Sequence, residues 1–393
     1  MEDLLGRDFR ANPRYELVLV DRLPAAERQR VDGCLDDPAF YGVLRPRDGS
    51  PLGLKSVDRD TALLFLTLRE PGVLPAYVRA MLGEDAARTV AQLVADGILE
   101  VDCGRGVFVS GAAAFDTPGD SAYSAGTGDT GRIQELSLAA LRYAAALAVD
   151  DPTLLTLRLY AYNRRPLTPA WQRLLADAPA VEHFLGLEPG GANRKLLEQH
   201  WSRRPGAAGW MSWRRRGPAA RAGGGGGARR GKATYKLYVS PAPEALPAAF
   251  GEILAAFDAA RVPQMKIGSD GWGLLRPDKI VAHFPDFEAL AAAVARLAER
   301  LGGIGGIAAQ GVPFTAEIGG DGLLSWGVDP PLLAGRPASG RESWRTWLCR
   351  RLALALLAAR GSSPEPWRFA LERLRLEGVD TTTWAPGARV FQG

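Results

Sequence analysis

Histidine and cysteine are scarce: the chain of 393 residues holds three of each. Cys34, Cys103 and Cys349 lie far apart, with no CxxC or Cys/His spacing. That argues against a disulfide framework and against a thiolate metal site. Three histidines are too few for a His-cluster metal site, so no metal is expected. Familiar catalytic signatures are missing too: no GxGxxG after a strand, no GxxxxGKS/T, no HExxH and no GxSxG. The start, "MEDLLGRDFRANP", has early acids and no apolar signal core. The longest apolar runs, such as "LALALLAA", fall well short of a membrane span. The expectation is a soluble cytoplasmic protein.

What is present is ordinary globular material, 47% hydrophobic and 23% charged, and long enough for two domains. A net charge of +4 suits acidic ligands such as phosphates but is far below that of a nucleic-acid coat. Residues 1–115 read as one unit. "YELVLV" is a strand, "DTALLFLTL", "PAYVRAML" and "EDAARTVAQLVADGIL" are helical, and "LEV…GVFVS" alternates like a hairpin. Three helices and then a two-stranded wing form a winged-helix pattern. Residues 116–132, rich in Gly, Ser, Thr and Asp, read as a linker. Residues 133–393 open with apolar helices and then alternate strand and helix, giving an α+β domain with a small sheet and helices on one face. Within it, the Gly/Arg-rich stretch 217–232 reads as a flexible loop, since its glycine run lacks a Lys-Ser/Thr ending and a following helix.

Two stretches carry chemistry. In "PQMKIGSDGWGLLRPDKIVAHF", Pro263 to Phe284, strand alternation turns Met265 and Ile267 one way and Lys266 the other. Ile280 and Ala282 likewise oppose Lys279, Val281 and His283. One face is then apolar core while the other gathers cations, which bind phosphate oxygens and depress a neighbouring lysine's pKa. The alternative is a solvated sheet face with Arg276–Asp278 surface pairs. In "NRKLLEQHWSRRPGAAGWMSWRRRG", Asn193 to Gly217, arginines including Arg203 and Arg204 interleave with His200, Trp201, Trp210 and Trp213. That stretch reads either as a phosphate or peptide groove, or as a basic surface loop whose tryptophans pack on the core.

Across roughly Gln134 to Arg360 an ordered set of motifs resembles the HopA-type effector family. That family is also represented by phospholyases of class V lanthipeptide and thioviridamide-type peptide biosynthesis. The motifs are "RLYAYNRRP", "NRKLLEQHWSRRPGAAGW", "YKLYVSPAPEALPAAFGEILAAFDAARVPQMKI", "RPDKIVAHF" and "GRESWRTWLCRRLALAL". The resemblance implies β-elimination of phosphate from phosphoserine or phosphothreonine of a ribosomal precursor peptide, without a cofactor, after a separate kinase-like protein has phosphorylated it. On that reading Lys266 is the base and His200 or His283 the proton donor. Arg276, Lys279, Arg204 and Arg203 bind phosphate, and Asp278 orients the cations. The first unit resembles a peptide-recognition winged helix that adds a leader peptide to a sheet edge, here offered by Tyr15, Leu17 and Leu19, with Trp210 as a further peptide contact. Two alternatives stand: a non-catalytic peptide-binding accessory protein, and a winged-helix DNA-binding regulator. The third helix argues against the regulator, because it carries Glu84, Asp85 and Asp96 against the single Arg88.

Overall fold

The computed structural model describes residues 4–47, 52–116, 131–205, 208–217, 234–303, 306–331, 342–388 and 390–391. The expected linker 116–132 and the loop 217–232 fall almost wholly outside the described residues. The chain divides into two compact units, one of residues 1–124 with 358–376 and one of residues 125–357 with 377–393. The segment 358–376 therefore belongs with the N-terminal unit, although its sequence lies inside the span expected for the second. Among the described residues no helix is long and apolar enough to cross a membrane.

In the N-terminal unit the strands are β1 (Asp8–Ala11), β2 (Tyr15–Leu19), β3 (Phe40–Pro46), β4 (Lys55–Asp58), β5 (Gly72–Val73), β6 (Leu99–Asp102) and β7 (Phe108–Val109). They form a three-stranded sheet, β2-β3-β4, and a four-stranded one, β5-β1-β6-β7. Helices Arg59–Thr67, Ala76–Leu82 and Ala86–Ala95 precede the β6–β7 hairpin. Val90, Leu93 and Val94, on one stripe of the third helix, pack with Phe9, Leu44 and Leu99 in a single core. Helix Pro366–Leu376 joins this unit: Gln92 donates to the Leu376 carbonyl at 3.0 Å, and Arg373 meets Asp96 at 2.6 Å. β2 lies at a sheet edge, but Tyr15 is only 2% exposed and sits in the core. Its ring is thus unavailable to a docked peptide, while Leu17 packs partly on the core and Leu19 is open.

The second unit is built on one antiparallel sheet. Its strands are β8 (Trp201–Arg204), β9 (Trp210–Arg215), β10 (Thr234–Val239), β11 (Gln264–Gly268), β12 (Ile280–Phe284), β13 (Ala316–Ile318) and β14 (Leu324–Asp329), in the order β13-β14-β10-β12-β11-β9-β8. The α+β class is the one expected, and two details differ. The sheet has seven strands because the basic stretch from Trp201 to Arg215 is a hairpin, with Met211 and Trp213 turned inward between Trp210, Ser212 and Arg214. Helices also cover both faces. Leu246–Ala259 and Phe287–Gly302 pack on the face of Leu237, Val239, Met265, Ile267, Ile280 and Ala282. On the other face, Trp344 of helix Trp344–Ala359 lies against Gly327, and its N–H donates to Asp329 at 3.0 Å.

One backbone crossing aims the site. Gly268 ends β11 against Gly273 of the short helix Gly271–Leu274, and a Cβ on Gly268 would come 2.3 Å from the Gly273 carbonyl carbon. Asp270 caps that helix by accepting from the Gly273 N–H at 2.7 Å. Neither backbone can yield as a side chain would. Gly268→Ala is therefore expected to cost about 1–3 kcal/mol, seen as a lower midpoint in denaturant unfolding; an unchanged midpoint would contradict the contact.

Candidate functional site

Residues opposed across antiparallel strands point to the same face, so the register assigns each side chain. Lys266 pairs with Ser212 of β9 and Val281 of β12, and Lys236 pairs with His283 and with Gly327. Lys266, Lys236, His283, Trp210 and Asp329 thus share the face opposite the apolar core, as the alternation of Met265 and Ile267 around Lys266 suggests. The hairpin adds Arg204, which pairs with Ser212 on the exposed edge strand β8.

At the centre of that face is an indole with two cations. The Lys266 ammonium lies 4.2 Å from the Trp210 ring centroid, and the Arg276 guanidinium lies 4.7 Å from the same centroid. The two side chains converge. Arg276 is fixed by a two-pronged bond to Asp278, with Nε to Oδ1 and Nη2 to Oδ2 both at 2.9 Å, and Nη2 also donates to the Tyr160 hydroxyl at 3.1 Å. Asp278 is 2% exposed and receives a second guanidinium, Arg345, at 2.9 Å, together with the Tyr160 hydroxyl at 2.9 Å. Arg345, 1% exposed, donates to the carbonyls of Pro313 and Tyr160. Burial alone would raise the Asp278 pKa; Arg345 and Arg276 outweigh it and hold the carboxyl well below the usual range.

The Lys266 amine is pushed down to about 8. Burial is the largest cause, and Lys236 and Arg276 add to it against the pull of Asp278 and Asp329. Lys236 is tied to Asp329 at 2.7 Å, so it contributes charge without occupying the space beside Lys266. A half-buried amine of this kind has a substantial neutral fraction at mild pH, which an ordinary lysine lacks.

Three expected site residues stand elsewhere. Lys279 is fully buried and donates to the Pro241 carbonyl at 2.8 Å and to Gln310 Oε1 at 2.6 Å. Burial pushes its pKa down to about 7 despite the nearby Asp278 carboxylate, but an enclosed amine meets no phosphate. His200 ends helix Ala192–His200 and approaches Asp258 of the core-side helix at 3.6 Å, beside the Arg215–Asp258 pair. Arg203 pairs with Trp213, which lies in the core, so it too faces away from Lys266 and meets Glu182 at 3.2 Å. On that side Trp201, Met211 and Arg194 help line a cavity of about 210 Å³. Its Arg194 and Arg203 are matched by Glu198 and Glu182, which lowers its appeal for an anion. Strand alternation could have separated Arg203 from Arg204, had the hairpin been recognised.

Sequence reasoning missed Tyr160, Arg164, Lys236, Asp329 and Arg345. The first two sit in "RLYAYNRRP" and Arg345 in "SWRTW", so the motifs were visible while the roles were not. Among the described residues no group of three or more His, Cys, Asp or Glu side chains could hold a metal ion.

No protein-family model matches the chain, and no curated protein matches it. Solved structures similar at low identity include two effector proteins. One is the effector protein from Pseudomonas syringae pv. syringae strain 61, at 15% identity and TM-score 0.39, covering 65% of this chain and 99% of that one. The other is the effector protein from Pseudomonas syringae pv. tomato strain DC3000, at 13% identity and TM-score 0.34, covering 65% and 98%.

The Asp278 cluster makes a prediction about acid stability. Its folded pKa lies below the unfolded value, so its contribution is complete above about pH 4 and disappears as pH falls toward the folded pKa. Asp278→Asn should remove that part of the acid dependence from the unfolding free energy. Arg345→Met, which leaves a buried carboxylate short of one partner, should cost about 3–5 kcal/mol at neutral pH. Chemical denaturation from pH 2 to 7 measures both; equal pH slopes for wild type and Asp278→Asn would reject the first.

Proposed function

We propose that the second unit is a phospholyase that eliminates phosphate from phosphoserine or phosphothreonine in a peptide. The observation that carries this reading is the depressed Lys266 amine beside the Asp278-anchored Arg276 on one indole. Neutral Lys266 takes the α-proton; the C–H electron pair becomes the Cα=Cβ bond, the Cβ–O bond breaks, and phosphate departs with that electron pair. A dehydroamino acid remains. Arg276 offers charge to the leaving oxygens, with Arg204 farther along the same face. Of the two histidines first considered as proton donor, His283 shares the face of Lys266, so the role falls to it; His200 does not. The chemistry calls for no metal or organic cofactor.

The substrate on this reading is a ribosomal precursor peptide phosphorylated by a separate kinase-like partner. The N-terminal unit, read as a winged helix, would take the leader segment along the open edge of β2, through backbone pairing and contacts with Leu17 and Leu19. A second reading, a peptide-binding accessory without catalysis, draws on the engagement of His200 by Asp258, which removes one proton donor.

Mass spectrometry of a phosphorylated peptide incubated with the full chain tests the proposal through loss of phosphoric acid. Lys266→Ala is expected to lower the rate by about 10²–10⁴-fold. In the wild type the rate should rise with pH and level off above about 8, as Lys266 loses its proton. A rate unaffected by Lys266→Ala would overturn the assignment of the base, and peptide binding with no mass change would favour the accessory reading.

A further inference from the structure

Arg276 and Arg345 are already committed to Asp278, and Lys236 to Asp329. Arg164 is different. It has no carboxylate partner among the described residues, and its Nε is enclosed without a hydrogen-bond partner there. The guanidinium stands over the ring of Trp272 at 5.7 Å, and that ring is 58% exposed at the rim. Burial and then the positive charge of Arg276 lower its pKa against the opposing pull of Asp278, so its field overlaps that of the Lys266 site.

The backbone carries Arg164 there deliberately. Asn163 adopts the left-handed region at φ 65°, a conformation that asparagine tolerates better than most other non-glycine residues. Its amide donates to the carbonyls of Gln310 at 2.7 Å and Gly311 at 2.9 Å. Gln310 returns bonds to the carbonyls of Asn163 at 2.6 Å and Leu275 at 3.2 Å. The Arg165 N–H also donates to the Leu275 carbonyl at 3.0 Å, directly before Arg276 in the chain. The buried Lys279 holds the Gln310 side chain in place at 2.6 Å. The two arginines are therefore set by one continuous hydrogen-bond network, and of the two Arg164 makes no ion pair among the described residues.

We propose that Arg164 is the cation that grips the phosphate group directly, while Arg276, anchored on Asp278, adds its charge at the leaving oxygens, positions the Trp210 platform and tunes Lys266. The assignment rests on the lyase reading for the identity of the ligand as a phosphorylated peptide, but its own content is which arginine grips the anion. Trp272, packed against Arg164 and open to solvent, then flanks the bound phosphoresidue.

The test is calorimetric titration of the full chain with a short alanine peptide bearing a central phosphothreonine, and with its unphosphorylated twin. Wild type should prefer the phosphorylated form. Arg164→Gln should weaken that form by about 10- to 100-fold, the loss expected for one charge-assisted contact, and leave the twin unchanged. Arg164→Lys, which keeps the charge without the fork, should fall between. Because Arg164 makes no ion pair among the described residues, the thermal midpoint of each variant should not fall below wild type, separating lost binding from lost folding. Equal affinity of wild type and Arg164→Gln for the phosphopeptide overturns the assignment, as does a wild type that fails to discriminate the two peptides. Mass spectrometry of the same samples decides elimination separately. Discrimination through Arg164 without mass loss sinks the lyase and keeps this assignment, whereas mass loss at an undiminished rate in Arg164→Gln does the reverse.

Discussion

The second unit's polar face depends on one carboxylate. Asp278 is buried, ionised and shared by two guanidiniums and a phenol, drawn from the helices Pro152–Ala161 and Trp344–Ala359 and from its own loop. Burying such a cluster is not by itself a route to stability, because desolvation of each charge offsets most of the Coulomb gain and apolar packing of equal volume often does as well. What the cluster supplies is position. Both Arg276 nitrogens that meet Asp278 are fixed at 2.9 Å, which leaves the guanidinium plane little freedom to leave Trp210. Remove the carboxylate and the cations beside Lys266 would repel one another into solvent, taking the local field with them.

That field explains why two lysines with depressed pKa values have different prospects. By value alone Lys279, near 7, is the better match to neutral pH than Lys266, near 8. Geometry reverses the order. The Lys279 amine is saturated by a carbonyl and an amide oxygen in a closed interior, and those contacts serve the backbone around Gln310. Lys266 rests on an aromatic face with no ion pair of its own among the described residues, at the edge of a half-open surface. A shifted pKa marks an unusual environment, and only access turns that environment into chemistry.

How much of this was legible in the sequence follows from the range of the information. Strand alternation is local, so the opposed faces of β11 and β12 could be read directly from "MKI" and "KIVAHF", and the α+β class from alternating patterns. The hairpin of β8 and β9 was missed because arginines and tryptophans stand on both of its faces, Arg203 and Trp213 on one and Arg204 and Trp210 on the other, a pattern that also suits a basic loop. Lys279 was misassigned for a subtler reason: it stands one residue before β12, where alternation no longer specifies which way the side chain turns. Tyr160 and Arg345 reach Asp278 from 118 residues before it and from the far helix, and nothing local to either announces the meeting. Tyr160, Asp278 and Arg345 lie in stretches quoted for the family resemblance, but nothing in those stretches shows that the three side chains meet.

Arg164 shows what lies beyond both local pattern and motif. Its placement depends on a left-handed Asn163, which depends on Gln310, which in turn depends on a lysine buried beneath it. Each link is weak alone, a single hydrogen bond worth about 1 kcal/mol net. Together they hold the left-handed turn and set Arg164 in the field of Arg276 and Arg345, which the shared Asp278 only partly offsets. Like charges are gathered in a partly buried cleft at a cost in free energy, and since Arg164 makes no ion pair among the described residues, that cost is relieved most simply by an external anion. The arrangement is thus easier to account for as a seat for an anion than as a contribution to folding.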